Sequence, residues 1–330
     1  MNKIGIIGAG AWGTALATVA ARNGLETVIW AREADVAAAI NDVHENTTFL
    51  PGIALAPEIR AVTSLAEAAA ADALLLCVPA QFMRAVTMGL APGLAASTPV
   101  VNCAKGIEQE TMALMSDIIA ETLPGRPIAV LSGPTFAAEV ADGRPTGVTL
   151  AAGDETLGRE LVAALGSKTF RTYLSSDLAG AQIGGAVKNV LAIACGIVIG
   201  RELGENGRAA LITRGLTEIV RFGIAKGAEP QSLMGLAGLG DLVLTCTSIQ
   251  SRNYSLGVAL GRGEALDTIL KARNSVAEGA FSAAAVTALA RKLDIDMPIC
   301  FAVDEVLNRS GDIDTAIADL LSRPFTTEVI

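Results

Sequence analysis

The sequence predicts an α/β fold, a doubly wound parallel sheet followed by an all-α C-terminal domain, on the strength of three observations. Short apolar runs alternate with Ala-rich amphipathic stretches through the first half of the chain. After about residue 177 the rhythm changes to long runs with helical periodicity, and strand signals nearly vanish. At the start, an apolar strand-like run leads straight into a glycine-rich turn and then a helical pattern.

Each element follows from the residues. Segments 3–7, 27–30, 73–78, 99–103, 128–131 and 146–151 read as short buried strands, and 169–173 adds a further one. Segments 14–23 and 111–122 read as helices between them. In the second half the helical runs are 178–199, 208–226, 250–261, 280–293 and 301–308. The expected domains are 1–178 and 179–330, and 330 residues are enough for two cores.

Composition narrows the chemistry. Hydrophobic residues make up 51% and charged residues 18%, a globular mixture with no sign of disorder. The net charge of −9 argues against nucleic acid or an anionic membrane surface as partner. An anionic substrate would need a local cluster of Lys and Arg. The five cysteines (Cys77, Cys103, Cys195, Cys246 and Cys300) are scattered and form no CxxC, which reads as reduced thiols in a cytoplasmic protein. No basic, apolar, cleavable leader opens the sequence, and the apolar run 189–200 is too short for a bilayer, so no membrane insertion is expected. His44 is the only histidine, which excludes a multi-histidine zinc site, and no metal is expected. It lies in a polar segment and reads as a loop residue without a role. General acid–base work therefore falls to Lys, Asp, Glu, Tyr or Cys.

The turn after the first strand is Gly8-Ala9-Gly10-Ala11-Trp12-Gly13. A GxGxxG alone is a weak signal, but this one sits between an apolar strand and a helix, with a second strand close behind. That context marks a Rossmann-type dinucleotide-binding domain. Gly8 permits the tight turn, Gly10 lets a pyrophosphate reach the main chain, and Gly13 lets helix and strand pack closely. The helix N-terminus offers N–H groups and partial positive charge to the phosphates. The second strand ends at Trp30, followed by Ala31, Arg32 and Glu33. Glu33 stands at the right count to hold a ribose hydroxyl, and Arg32 can pair with a 2′-phosphate. No acid sits at the strand end itself, which favours Arg32 and NADPH, with NAD still open. A solvated surface Arg32 is the plain alternative.

Four further segments are too unusual for generic loops: Asn102-Cys-Ala-Lys105-Gly, Ser132-Gly133-Pro-Thr135-Phe-Ala137, Gly184-Gly-Ala-Val-Lys188-Asn189, and Gly238-Leu-Gly-Asp241-Leu-Val-Leu-Thr245. Ser251-Arg252-Asn253 follows the last. With GAGAWGTALA, FLPG at 49–52, ITRG at 212–215 and VAEG at 276–279, the chain resembles the bacterial NAD(P)-dependent sn-glycerol-3-phosphate dehydrogenases. The markers run from residue 8 to about 279, and together they are far more specific than any one.

The resemblance implies reversible reduction of dihydroxyacetone phosphate to sn-glycerol 3-phosphate by NAD(P)H, supplying glycerol phosphate for phospholipid synthesis. It implies Lys188 as proton donor and acceptor, Lys105 as a lysine at substrate and nicotinamide, and Asp241 in the catalytic site. It implies substrate contacts from Lys188, Gly133, Thr135, Asp241, Ser251, Arg252 and Asn253. It implies cofactor contacts from Gly8, Gly10, Ala11, Trp12, Gly13, Arg32, Lys105, Ala137, Arg252, Val276 and Glu278. The expected partner is a small phosphate substrate, and a homodimer is among the assemblies open to the chain. Two places depart from the family pattern. Ala11 stands where Ser is usual, which loses a hydroxyl contact but keeps the backbone N–H. The stretch 197–203 replaces an Asp-Gly-rich version, which bears on the helix geometry after Lys188.

Elementary chemistry points the same way. A ketone that accepts hydride at carbon develops negative charge on oxygen, and a cationic donor there stabilises it and delivers the proton. Lys188 is the charged residue of an otherwise apolar helical run, where it costs free energy unless paired or functional. The plain alternative is a lysine that snorkels to solvent. For Lys105, Asp241 and Glu278 the plain readings are a loop lysine, a turn residue and a helix acid. For Ser251-Arg252-Asn253 it is a helix N-cap, which is compatible with anion binding. Other two-domain dehydrogenases are the competing enzymes. Hydroxyacyl-CoA types need a His–Glu pair that the second half lacks, and nucleotide-sugar types need a catalytic Cys, for which Cys246 is the candidate. A non-catalytic NADP-binding regulator would have no use for Lys105, Lys188, Asp241 and Arg252 together.

Overall fold

The computed structural model describes residues 1–271, 278–325 and 327. It divides into two compact units, one of Met1–Lys105 with Ala113–Ala181, the other of Gly106–Met112 with Gln182–Ile330. The division differs from a cut at 178/179 in two ways. It falls inside the Leu178–Gly200 helix, and the short segment after Lys105 packs with the helical unit. There Ile107 and Glu108 are buried, and the Gln109 side chain donates to the Phe281 carbonyl at 3.5 Å.

The first unit is built on one eight-stranded sheet. Its strands are β1 (Lys3–Ile7), β2 (Glu26–Trp30), β5 (Ile59–Val62), β6 (Ala73–Leu76), β7 (Val100–Asn102), β8 (Ile128–Ser132), β9 (Thr146–Ala152) and β10 (Phe170–Ser175). A small hairpin pairs β3 (Glu45–Asn46) with β4 (Leu50–Ala54). The sheet order is β10-β9-β8-β7-β6-β1-β2-β5, parallel throughout except that β8 and β9 run antiparallel. The chain therefore builds outward from β1 through β2 to β5, then returns to lay β6 on the other flank of β1. That reversal puts a crevice at the carboxyl ends of β1 and β6. The central strands are apolar because both faces are covered. Ile4, Ile6 and Leu75 enter one core with the Ala11–Arg22 helix, and Ile7, Leu74 and Leu76 enter another with the Met83–Leu90 and Met115–Thr122 helices. Strands β3, β4 and β5 were not among the expected ones. Pro51 and Gly52 interrupt β4, and β5 is a four-residue edge strand, so neither carries a strong period.

The second unit is helical. The Leu178–Gly200 helix is long and apolar enough to cross a membrane by composition, but 83% of its apolar window is buried inside the protein, and it is the core helix of this unit. Glycines let other segments approach it closely. A Cβ on Gly196 would lie 2.2 Å from the Tyr254 carbonyl oxygen, and one on Gly257 would lie 2.1 Å from that of Ile193. Gly200 and Gly261 repeat the contact one turn on. Here the helix meets Arg252–Gly261 backbone to backbone.

A buried carboxylate fixes another junction. Glu218, on the Gly204–Ala225 helix, accepts from the backbone N–H groups of Ile299 (2.7 Å) and Cys300 (3.1 Å) in the first turn of the Pro298–Asn308 helix. It caps a neighbouring helix as an N-cap side chain would. Burial nevertheless pushes its carboxyl pKa up to about 7, outweighing the two N–H donors, with Asp296 adding to the rise. A carboxyl with a raised folded pKa contributes stability that is full below its unfolded pKa and is lost as pH rises through the folded one. Urea unfolding of the wild type relative to Glu218→Gln should therefore show the wild type losing about 2 kcal/mol between pH 5 and pH 8. A pH-independent difference would mean that Glu218 ionises normally.

Candidate active site

The crevice beside β1 is shaped by glycines. Gly8 has φ +117°, and a Cβ there would lie 3.1 Å from the Cys77 carbonyl and the Val78 nitrogen. At Gly13 a Cβ would lie 1.9 Å from the Gly8 carbonyl oxygen, so no other residue lets the helix pack here. Gly10 is different: a Cβ would meet nothing within 4 Å. Its lack of a side chain leaves open space in front of the main chain. The Ala11–Arg22 helix begins at Ala11, Trp12 and Gly13, with no side-chain cap and no acid in its first turn. Its N–H groups and dipole are thus available to an anion, and the glycines fit a pyrophosphate. Beyond β2, Arg32 is exposed and directs its guanidinium to Glu33, with Nε at 2.8 Å from the carboxylate. The two residues that competed as cofactor selectors are thus paired with each other.

A second cluster in the same unit gathers on the Gly133 carbonyl. It accepts from Lys105 Nζ at 3.0 Å and from Thr135 Oγ1 at 3.3 Å. Gly133 has φ +154°, and a Cβ would lie 2.9 Å from Val148 Cα, which explains the glycine. Ala137 opens the Ala137–Ala141 helix, whose last carbonyls, Val140 and Ala141, accept from Arg22.

In the helical unit Lys188 is 6% exposed and does not snorkel. Its Nζ lies 2.5 Å from Asp241 Oδ1 and donates to Thr245 Oγ1 at 2.8 Å. The Thr245 hydroxyl in turn donates to the Asp241 carbonyl at 2.6 Å. Asp241 is fully buried at the start of the Asp241–Thr247 helix. The close approach again rests on glycine. A Cβ on Gly184, one turn before Lys188, would lie 2.3 Å from the Ala237 carbonyl oxygen and 2.7 Å from Gly238 Cα. That contact brings the GGAVK and GLGD segments together. Thr245 was missed as a site residue, although its i, i+4 spacing from Asp241 was the available signal. Lys188 and Asp241 thus form a desolvated, mutually compensated ion pair.

Ser251 is the N-cap of the Arg252–Gly261 helix, its side chain accepting from Tyr254 N–H at 3.2 Å. Arg252 is exposed and Asn253 is buried. Asn253 Oδ1 accepts from Gly279 N–H at 3.0 Å, which assigns the amide orientation and turns Nδ2 away as the donor edge. Glu278 opens the Glu278–Lys292 helix, and Val276 lies outside the described residues. Cys246 is fully buried, and burial pushes its thiol pKa well up, so it is a poor nucleophile and the nucleotide-sugar alternative loses its residue. Among the described residues no group of His, Cys, Asp and Glu could hold a metal.

Comparison with known proteins accounts for nearly the whole chain. The model of the NAD-dependent glycerol-3-phosphate dehydrogenase N-terminus matches residues 3–158, and that of the C-terminus matches 177–318. The chain belongs to the NAD-dependent glycerol-3-phosphate dehydrogenase family. It is accordingly a nicotinamide-dependent oxidoreductase, using NAD or NADP. It is 59% identical to glycerol-3-phosphate dehydrogenase (NAD(P)+) of Parvibaculum lavamentivorans over 99% of this chain and 98% of that one. The enzyme of the same name from Caulobacter vibrioides is 57% identical over 99% of each. Of solved structures, glycerol-3-phosphate dehydrogenase from Coxiella burnetii superposes with a TM-score of 0.94 at 39% identity, covering 98% of this chain and 99% of that one. The Saccharomyces cerevisiae enzyme gives 0.84 at 27%, covering 97% and 99%. The family fold is the architecture found here, a Rossmann-type sheet followed by a helical domain.

Proposed function

We propose that the chain reduces dihydroxyacetone phosphate reversibly to sn-glycerol 3-phosphate, with Lys188 moving the proton. The observation that carries this reading is the buried Lys188, held by Asp241 and Thr245 in a family that works on a phosphorylated polyol. NAD(P)H, when bound, supplies the hydride. As the C2 carbonyl becomes an alkoxide, the Lys188 ammonium stabilises the growing charge and gives up a proton; in the oxidation the amine takes it back. Asp241 and Thr245 hold the ammonium in one place, so little reorganisation is needed as charge develops.

The substrate phosphate is bound by Ser251, Arg252 and Asn253. A guanidinium fork, an amide donor edge and a helix N-terminus suit a dianion, and an acidic chain needs such a local cluster. Lys105 contacts substrate and nicotinamide, and Gly133 and Thr135 contact substrate. The glycine-rich loop with Ala11 and Trp12 takes the pyrophosphate, and Ala137, Arg252, Val276 and Glu278 add cofactor contacts. Arg32 favours NADPH by exchanging Glu33 for the 2′-phosphate. The enzyme works in the cytoplasm, and its product serves phospholipid synthesis.

Three measurements test these roles. Lys188→Ala, checked for folding by circular dichroism, should retain cofactor binding and lose about a hundredfold or more in kcat; near-normal turnover would remove Lys188 from the chemistry. Arg32→Ala should raise KM for NADPH more than for NADH, and equal effects would leave Arg32 as a surface residue. Arg252→Ala should lower kcat/KM for dihydroxyacetone phosphate by roughly 2–5 kcal/mol of transition-state stabilisation. Unphosphorylated dihydroxyacetone, already a poor substrate, should change little. Equal loss on both substrates would show that Arg252 does not read the phosphate.

A further inference from the structure

Asn46 is completely buried and lies outside every segment that marks the family chemistry above. It belongs to the β3–β4 hairpin, between the Ala39–Val43 turn and the edge strand β5. Its Nδ2 donates to the Ala9 carbonyl at 2.8 Å and to Thr14 Oγ1 at 2.8 Å, and its Oδ1 accepts from Phe49 N–H at 3.0 Å. The amide orientation follows from the partners, because a carbonyl can only accept and a backbone N–H can only donate. Ala9 lies between the first two glycines of the loop, and Thr14 lies just after the third. One side chain thus grips the loop on both sides of Gly10–Gly13.

The consequence follows from peptide planarity. The Ala9 carbonyl and the Gly10 N–H share one peptide unit and point in opposite directions. Tying the carbonyl to Asn46 therefore turns the Gly10 N–H the other way. Gly10 is also the loop glycine with open space where a Cβ would be. The hairpin that carries Asn46 is itself held in an unfavourable shape. His44 has φ +54°, in the left-handed region, and its Nδ1 is buried without a hydrogen-bond partner in the protein. Its carbonyl accepts from Leu55 N–H at 2.8 Å, and Glu45 Oε1 accepts from Gly52 N–H at 2.8 Å, closing the hairpin. Such local cost persists where the surrounding structure enforces it.

We propose that Asn46 is a positioning residue for the cofactor: it aims the glycine-rich loop so that its N–H groups face the dinucleotide pyrophosphate. This rests on the reading of Gly8–Gly13 as the pyrophosphate cradle. Because the pyrophosphate is common to both dinucleotides, Asn46 acts equally on NADH and NADPH, unlike Arg32. Its effect is on binding and not on the proton transfer.

The test is direct titration of the purified full chain with NADH and NADPH, by calorimetry or nicotinamide fluorescence. Melting temperature without cofactor and kcat at saturating cofactor are recorded alongside. Asn46→Ala removes the grip. Asn46→Asp keeps the shape, replaces both donors with a carboxylate oxygen facing the Ala9 carbonyl, and serves if the alanine variant does not fold. Gly10→Val is the control for the cradle itself, since open space lets it fold while the side chain fills the approach. Both Asn46 variants should raise Kd for NADH and NADPH by the same factor, about tenfold or more, with kcat at saturation within about twofold. Gly10→Val should weaken binding at least as much. A lowered melting temperature with unchanged Kd would reduce Asn46 to a structural brace and overturn the proposal. So would a loss confined to one of the two cofactors. If Gly10→Val binds normally, the cradle reading fails; if it binds weakly while the Asn46 variants bind normally, only the positioning role fails.

Discussion

The ion pair between Lys188 and Asp241 is the constraint around which the helical unit is arranged. Both side chains are withdrawn from water, and neither charge is tolerable there alone. Removing one partner of such a pair commonly costs about 3–5 kcal/mol, so the two segments that carry them must meet at one geometry. Glycine makes that geometry reachable. Gly184 lets its helix touch the Ala237–Gly238 main chain, and Gly196, Gly200, Gly257 and Gly261 do the same for the helix that begins at Arg252. Lys188 and the start of the Arg252–Gly261 helix are therefore both positioned by one close-packed helix. This also resolves the departure at 197–203: that stretch keeps the contact glycine Gly200, and the helix runs through to it.

The sheet unit obeys the same logic with different means. Its crevice exists because the strand order reverses at β1, and its floor is shaped by glycines whose neighbours leave no room for a Cβ. Backbone conformation there is costly and needs support from outside the loop. Asn46 supplies part of it through a hairpin that makes no contribution to the main sheet. Packing and polar satisfaction are thus served by the same few contacts.

Buried polar groups recur as clamps on helix starts. Glu218 holds the start of Pro298–Asn308, Asn253 holds Gly279 near the start of Glu278–Lys292, and Ser251 caps its own helix. Each meets N–H groups that a helix cannot satisfy internally.

The amino-acid sequence by itself determined the fold class, the glycine-rich loop, the long apolar core helix and the oddness of a lysine within it. These are local facts: periodicity, turn chemistry and residue spacing are written within a few neighbouring positions. It also marked Asp241 and the Ser251–Asn253 cluster through unusual local composition. Tertiary structure alone decided that Lys188 pairs with Asp241 across 53 positions, that Thr245 completes the group, and that Arg32 rests on Glu33. It alone showed that Asn46 reaches back 37 positions to Ala9 and that Glu218 caps a helix 81 positions away. It also decided that residues 106–112 belong with the helical unit, although the sequence on either side of them belongs to the sheet unit. The physical reason is common to all of these. A buried polar side chain must find a partner, but which partner depends on which backbones can approach, and that is settled only when the cores pack.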